Sequence, residues 1–147
     1  MPEKNESSFV IEKILDAPQA LVWKAITDKE LMKEWYFDLA EFKPEPGFEF
    51  RFLGGSPNGK QWMHICVIKE VIQGSKLVHS WRYEGYPGDS IVTFELTPLE
   101  KNKTKLKLTH AGLNTFPVSE PELHKDNFAK GWTEIIGTSL PEFLSKQ

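Results

Sequence analysis

Phe128, Trp132, Ile135, Ile136, Ser139, Leu140, Phe143 and Leu144 recur at three- and four-residue steps, which places them on one stripe of a helix near the chain's end. From Phe48 to His110 the sequence before it reads almost entirely as strand. An amphipathic helix that follows a run of hairpins buries its stripe against the sheet they form. If the sheet curves around the helix a pocket lies between them, and the residues on the inner face decide what it can hold.

The chain has 147 residues, enough for one substantial core, so a single domain over residues 9–147 behind a flexible stretch 1–8 is expected. A net charge of −3 offers no basic surface to nucleic acid or to anionic lipid. No apolar run approaches the roughly 20 residues that cross a bilayer. Cys66 is the only cysteine, which rules out an intrachain disulfide, and Met1-Pro-Glu-Lys-Asn-Glu-Ser-Ser contains no apolar stretch of the signal-peptide kind. A cytoplasmic monomer is the expectation.

Phe9 to Leu15 reads as a first strand. Asp16 then caps a helix whose buried face is Leu21, Val22, Ala25 and Ile26, with Pro18 in its first turn. Thr27 and Glu30 form a capping box for a second short helix ending near Trp35. Strands follow at Leu39–Phe42, Phe48–Leu53, Trp62–Ile72, Leu77–Tyr83, Ser90–Leu96 and Thr104–His110, separated by Gly, Pro, Asn and Lys turns. A Pro-containing connection from Asn114 to about His124 leads to the last helix. Within it Pro141 would clash with the carbonyl of Gly137, which predicts a kink recapped by Ser139 and Glu142.

Hairpin registers set Leu96 opposite Leu106, Phe94 opposite Leu108 and Val92 opposite His110. They also set Trp81 opposite Val92, His79 opposite Phe94, Ile68 opposite Trp81, Phe52 opposite Trp62 and Phe50 opposite His64. All select one inner face: Phe48, Phe50, Phe52, Trp62, His64, Cys66, Ile68, Leu77, His79, Trp81, Val92, Phe94, Leu96, Leu106, Leu108 and His110. Glu49, Arg51, Arg82, Thr93, Glu95, Lys105 and Lys107 fall on the wet face. Ile68 and Val71 both turn inward only with a bulge at Lys69 or Glu70.

Gly54-Gly-Ser-Pro-Asn-Gly59-Lys60 has the spacing of a phosphate-binding loop. However, Gln61 and alternating strand residues stand where a Ser or Thr and a helix start are required, so it reads as a hairpin loop. His64, Cys66, His79 and His110 resemble a zinc set in composition only. His110 lies about 10 Å from Trp81's strand, and His79 is on the order of 13 to 20 Å along the ladder from His64. Each imidazole reads first as a hydrogen-bonded member of a mixed core and second as a polar contact to a ligand. No serine-nucleophile elbow, partnered cysteine or inward carboxylate pair is present. Glu70 opposite His79 is the one candidate dyad, unless the bulge turns Glu70 outward.

Asp16-Ala-Pro-Gln-Ala-Leu-Val-Trp-Lys-Ala-Ile-Thr-Asp28, Leu31-Met-Lys-Glu-Trp35, Leu77-Val-His-Ser-Trp81, Val92-Thr-Phe-Glu-Leu96, Thr104-Lys-Leu-Lys-Leu-Thr-His-Ala-Gly-Leu113 and Gly131-Trp132 occur in an order that resembles the activator of heat-shock protein 90 ATPase homologue (AHSA-type) family. That family lies in the START-like, or SRPBCC (birch-allergen-like), superfamily. The resemblance spans about residues 9 to 145 and implies an α+β helix-grip fold. In it a curved antiparallel sheet of six or seven strands wraps a long C-terminal helix, and two short helices follow the first strand. Superfamily relatives bind lipids, hormones and polyketides, and some are cyclases or hydrolases. Co-chaperones of the family hold the chaperone through an additional N-terminal domain, so ATPase stimulation is not expected of this sequence alone.

The leading expectation is a non-catalytic protein, without cofactor or metal, that takes a small, largely apolar molecule such as a lipid, polyketide or flavonoid. Trp81, Trp132, Phe50, Phe52 and Phe94 supply its walls, with Cys66 and Ile136 beside them, while His64, His79 and His110 orient polar atoms. A second expectation is a module that modulates a chaperone in a stress response, marked by an exposed apolar patch at Trp35, Tyr36 and Phe37. A third is a cavity enzyme using Glu70 and His79.

Overall fold

A computed structural model of the chain describes residues 8–36, 39, 41–55, 61–116 and 125–147. The chain runs through β1 (Ser8–Leu15), α1 (Gln19–Thr27), α2 (Lys29–Trp35), β2 (Glu49–Gly55), β3 (Gln61–Ile72), β4 (Lys76–Tyr83), β5 (Ser90–Leu99) and β6 (Lys103–Ala111). A 3-10 turn at Leu113–Thr115 precedes the last helix. That helix comprises α3 (Lys125–Glu134), a π-helical turn at Ile135–Ser139 and α4 (Leu140–Leu144). The six strands form one antiparallel sheet in the order β1-β6-β5-β4-β3-β2. Because β1 and β2 lie at opposite edges, the α1–α2 pair spans the sheet on its way between them. The C-terminal helix lies along β1, and its end meets α2. This is the α+β helix-grip arrangement.

Alternation explains the core. The inner-face residues of β2 to β6 are buried, Val92, Leu106, Leu108 and Cys66 completely, and only Phe48 remains half-buried. Arg51 and Arg82 on the other face are exposed, although Ile65 is buried there as well. Phe128, Trp132, Ile136, Leu140, Phe143 and Leu144 are the buried stripe of the last helix, while Ile135 and Ser139 sit at its half-exposed margins.

Several local expectations need correction. The registers of β5–β6 are as expected, but the other three hairpins are displaced by two residues. His79 faces Val92, Ile68 faces His79, Phe52 faces His64 and Phe50 faces Cys66. A shift of two preserves the faces because side chains alternate with period two. The register break falls between Ile68 and Glu70, where the bulge was expected.

Leu39, Glu41 and Phe42 are not strand, and Ala40 lies outside the described residues. Most of the connection from Asn114 to His124 also lies outside them, as do residues 56–60 of the glycine-rich hairpin loop. Asp16 caps nothing. The α1 cap is Pro18, without a side-chain bond, and Asp16 instead pairs with Lys103 at 3.3 Å. Nor does Thr27 cap α2, because its hydroxyl donates back to the Trp23 carbonyl at 2.7 Å. The cap is Asp28, whose carboxylate accepts the Glu30 N–H at 2.9 Å.

An irregularity falls where the kink was expected, as a π-helical turn just before Pro141, but without recapping by Ser139. The chain stays in the right-handed helical region at Glu134, Ser139 and Leu140, and Ser139 makes no capping bond. The Leu140 N–H reaches the Ile135 carbonyl, five residues back. The wider π turn accommodates the proline one turn before its ring would meet a carbonyl.

The Asp28 cap has a measurable consequence. Urea denaturation of Asp28→Ala is expected to show a loss of about 1 kcal/mol, and Thr27→Ala a smaller loss, since only Asp28 satisfies a free helix N–H. The reverse order would show that the cap is misassigned.

Candidate functional site

The inner face and the last helix meet around Trp81 on β4. Ring centroids lie 5.0 Å away for His64, 5.3 Å for His110, 5.6 Å for Trp132, 5.9 Å for Phe52 and 6.3 Å for His79. The Trp81 indole N–H donates to the Tyr83 hydroxyl at 2.8 Å. The three histidines thus surround one indole, although they sit on three strands and do not converge on a point. Among the described residues no group of three or more His, Cys, Asp or Glu side chains is placed to hold a metal.

Donor counting fixes the tautomer of His110. The single Ser90 hydroxyl hydrogen goes to the Trp81 carbonyl at 2.8 Å, so Ser90 Oγ must accept from His110 Nε2–H, also at 2.8 Å. His110 Nδ1 is then the acceptor of the Trp132 indole N–H at 3.0 Å. One directional chain therefore runs from the last helix through β6 and β5 to β4. Ser90 was missing from the expected site. Its signal was a small polar residue in phase with Val92, Phe94 and Leu96 on an apolar row.

His64 Nδ1 donates to the Trp62 carbonyl at 2.9 Å, and His79 Nδ1 donates to the Ser80 carbonyl at 2.8 Å. Burial, the main cause for each, lowers His64 and His79 to a pKa of about 4 and His110 to about 3. All three are neutral at pH 7. Burial pushes the Cys66 thiol up, away from thiolate chemistry. Glu70 is exposed, pairs across β3–β4 with Val78 and bonds Lys76 at 3.3 Å, so the expected Glu70–His79 dyad does not exist.

All ten expected site residues, Phe50, Phe52, His64, Cys66, His79, Trp81, Phe94, His110, Trp132 and Ile136, are buried in one core. Their rings touch one another, as Phe50 and Phe94 do with His79 at 5.2 and 6.2 Å and Trp132 does with Phe94 at 6.2 Å. Among the described residues a void of about 10 Å³ is bordered by Phe50, His79 and Phe94 of that set. A void of that size is at the lower limit for one water.

Its remaining wall, Ile26, Met32, Trp35, Tyr36, Leu39, Phe42 and Leu77, comes largely from the α1–α2 pair and the segment after it, which the sequence reading left out of the site. The three-residue step from Met32 to Trp35 was the available signal. Trp35 is itself buried, with its indole N–H on the Ala25 carbonyl at 3.1 Å, and Tyr36 is half-buried, stacked on Trp35 at 5.0 Å and on Trp132 at 6.2 Å. The apolar patch expected at these two residues is therefore not exposed, and Phe37 lies outside the described residues. On their outer side Trp35 and Tyr36 line an open groove of about 690 Å³, walled by α2 and the end of the last helix.

A family profile described as activator of Hsp90 ATPase homolog 1-like protein matches residues 16–145. Among solved structures, MLL2253 from Mesorhizobium loti is 23% identical, with a TM-score of 0.77 over 95% of this chain and 98% of that one. CalU16 from Micromonospora echinospora is 28% identical, with a TM-score of 0.68 over 94% and 76%. DynU16, a protein in the dynemicin biosynthetic locus, is 20% identical, with a TM-score of 0.74 over 98% and 48%. No curated protein matches the chain in sequence. No helix among the described residues is long and apolar enough to cross a membrane.

Acid should unfold this protein through its histidines. Their folded pKa values lie below the unfolded value of about 6.5, so the unfolded chain binds more protons between there and pH 3 to 4. Stability is complete above about pH 6.5 and is lost as pH falls, by several kcal/mol in all before pH 4. Thermal melts across that range test this, and a flat profile would contradict it. Trp132→Phe strands the His110 Nδ1 lone pair and should cost about 1–3 kcal/mol in denaturant titrations.

Proposed function

The chain belongs to the activator of Hsp90 ATPase homolog 1-like family, of the START-like superfamily, and from that premise we propose that it binds a small, largely apolar molecule between sheet and C-terminal helix. The seat of binding is the void against Phe50, His79 and Phe94, which expands when the ligand enters. The observation that most supports this is the shared wall: Trp35 and Tyr36 border both the void and the outer groove. Tyr36 closes α2 and stacks between Trp35 and Trp132. Turning it outward joins the two spaces.

The aromatic contacts given up on opening are worth about 0.5–1.5 kcal/mol per ring pair, and a bound apolar ring restores them. The π turn at Ile135–Ser139 supplies slack in the helix that must give way, and Ser139 also lines the groove. A small-molecule role is in keeping with the same fold in DynU16, a protein of a biosynthetic locus. We extend the reading to a non-catalytic role in the cytoplasm, without a cofactor. The exposed position of Glu70 weighs against the dyad that an enzyme would have used.

Titration with lipids, flavonoids and polyketides, followed by amide and tryptophan-indole shifts, tests the proposal. Shifts are expected at Phe50, His79, Phe94 and Trp132 for at least one compound class. Shifts confined to the groove, or none at all, would sink it. Tyr36→Ala, which removes the gate, should speed association roughly tenfold in stopped-flow measurements.

A further inference from the structure

His79 differs from the other polar groups of the core in what it leaves open. It is 3% exposed and borders the void. The Ser80 carbonyl can only accept, so Nδ1 carries the hydrogen, and the neutral ring presents an Nε2 lone pair. Among the described residues nothing donates to that nitrogen. Among the described residues no fully sealed side-chain nitrogen or oxygen lacks a partner, so the Nε2 without one is not fully sealed, and the void is the space that His79 borders. By contrast, both nitrogens of His110 are bonded, and the Trp35 indole N–H on the same wall is spent on the Ala25 carbonyl. The rest of the wall is almost wholly aliphatic or aromatic.

Resting on the cavity reading above, we propose that the ligand is an apolar ring system bearing a hydroxyl group, whose O–H donates to His79 Nε2. A hydroxyl satisfies the lone pair and fills the position that one water could take. An ether, ketone or carboxylate brings only acceptors to an acceptor and leaves two desolvated lone pairs facing each other. A pure hydrocarbon leaves the nitrogen unbonded. The mismatched ligand is disfavoured because it strands a buried polar group. His79 is a specificity residue in this scheme and takes no part in chemistry.

The test uses the full chain with 2-naphthol, 2-methoxynaphthalene and naphthalene. 2-Naphthol is expected to bind roughly three- to tenfold tighter than either analogue. In protein carrying ¹⁵N-histidine, the His79 Nε2 resonance should move upfield with 2-naphthol and stay in place with 2-methoxynaphthalene. His79→Phe should bind the three probes alike. If that variant does not fold, the nitrogen shift in the unaltered protein carries the test alone. Equal affinities with an unmoved Nε2 would overturn the hydroxyl assignment while leaving the cavity reading intact. If none of the three perturbs a core residue, the cavity reading fails and takes the assignment with it.

Discussion

The hydrogen bond from the Trp132 indole to His110 joins the two layers of this fold at their most buried point. A helix laid on a sheet through apolar side chains alone can slide or rotate at little cost. A donor aimed at one nitrogen cannot, because displacement leaves both partners buried and unpaired. The bond works only if His110 is neutral and in its Nε2–H form, and Ser90 imposes both by having already given its hydrogen to Trp81. The orientation of the helix thus depends on a hydroxyl two strands away from it.

The face of each strand was legible in the sequence, whereas its position along the ladder was not. Alternation of Phe50, Phe52, His64, Cys66, His79 and Trp81 determines which side each residue occupies, and an offset of two leaves that unchanged. Loop length decides the offset. Nothing in Glu84–Asp89 says how many residues of the loop extend the ladder, and β5–β6, with its tight turn at Lys101 and Asn102, was the hairpin read in register. The bulge near Lys69 was readable because two apolar residues three apart cannot share a face without one. Contact between the three histidines and Trp81 was not readable, since it depends on that offset and on side chains leaning along the strands.

The local helix rules failed for a related reason. Thr27 and Glu30 have the spacing of a capping box, but Asp28 lies one residue closer to α2 and its carboxylate accepts the free N–H. Thr27, still inside α1, turns its hydroxyl back on its own helix. At Pro141 a kink was expected, and what the sequence left unread was that a π turn carries the irregularity, since the expectation took the α-helix as the only helical option. A π turn removes the steric conflict at the cost of one irregular turn and keeps Ile136, Leu140 and Leu144 on the buried stripe.

Burying three imidazoles is costly, and desolvation pushes each pKa down so that the core holds them neutral. For His110 the return is evident, because its two bonds align the helix. Among the described residues His79 makes one side-chain hydrogen bond, to the backbone carbonyl of the next residue on its own strand. Phenylalanine at position 79 would fill similar space between Phe50 and Phe94, stack with the same rings and bring no unpaired nitrogen. Folding alone therefore gives no reason for an imidazole there. Among the described residues none donates to its second nitrogen, and in the proposed scheme the void beside it, behind the Trp35–Tyr36 wall, is where a ligand hydroxyl sits.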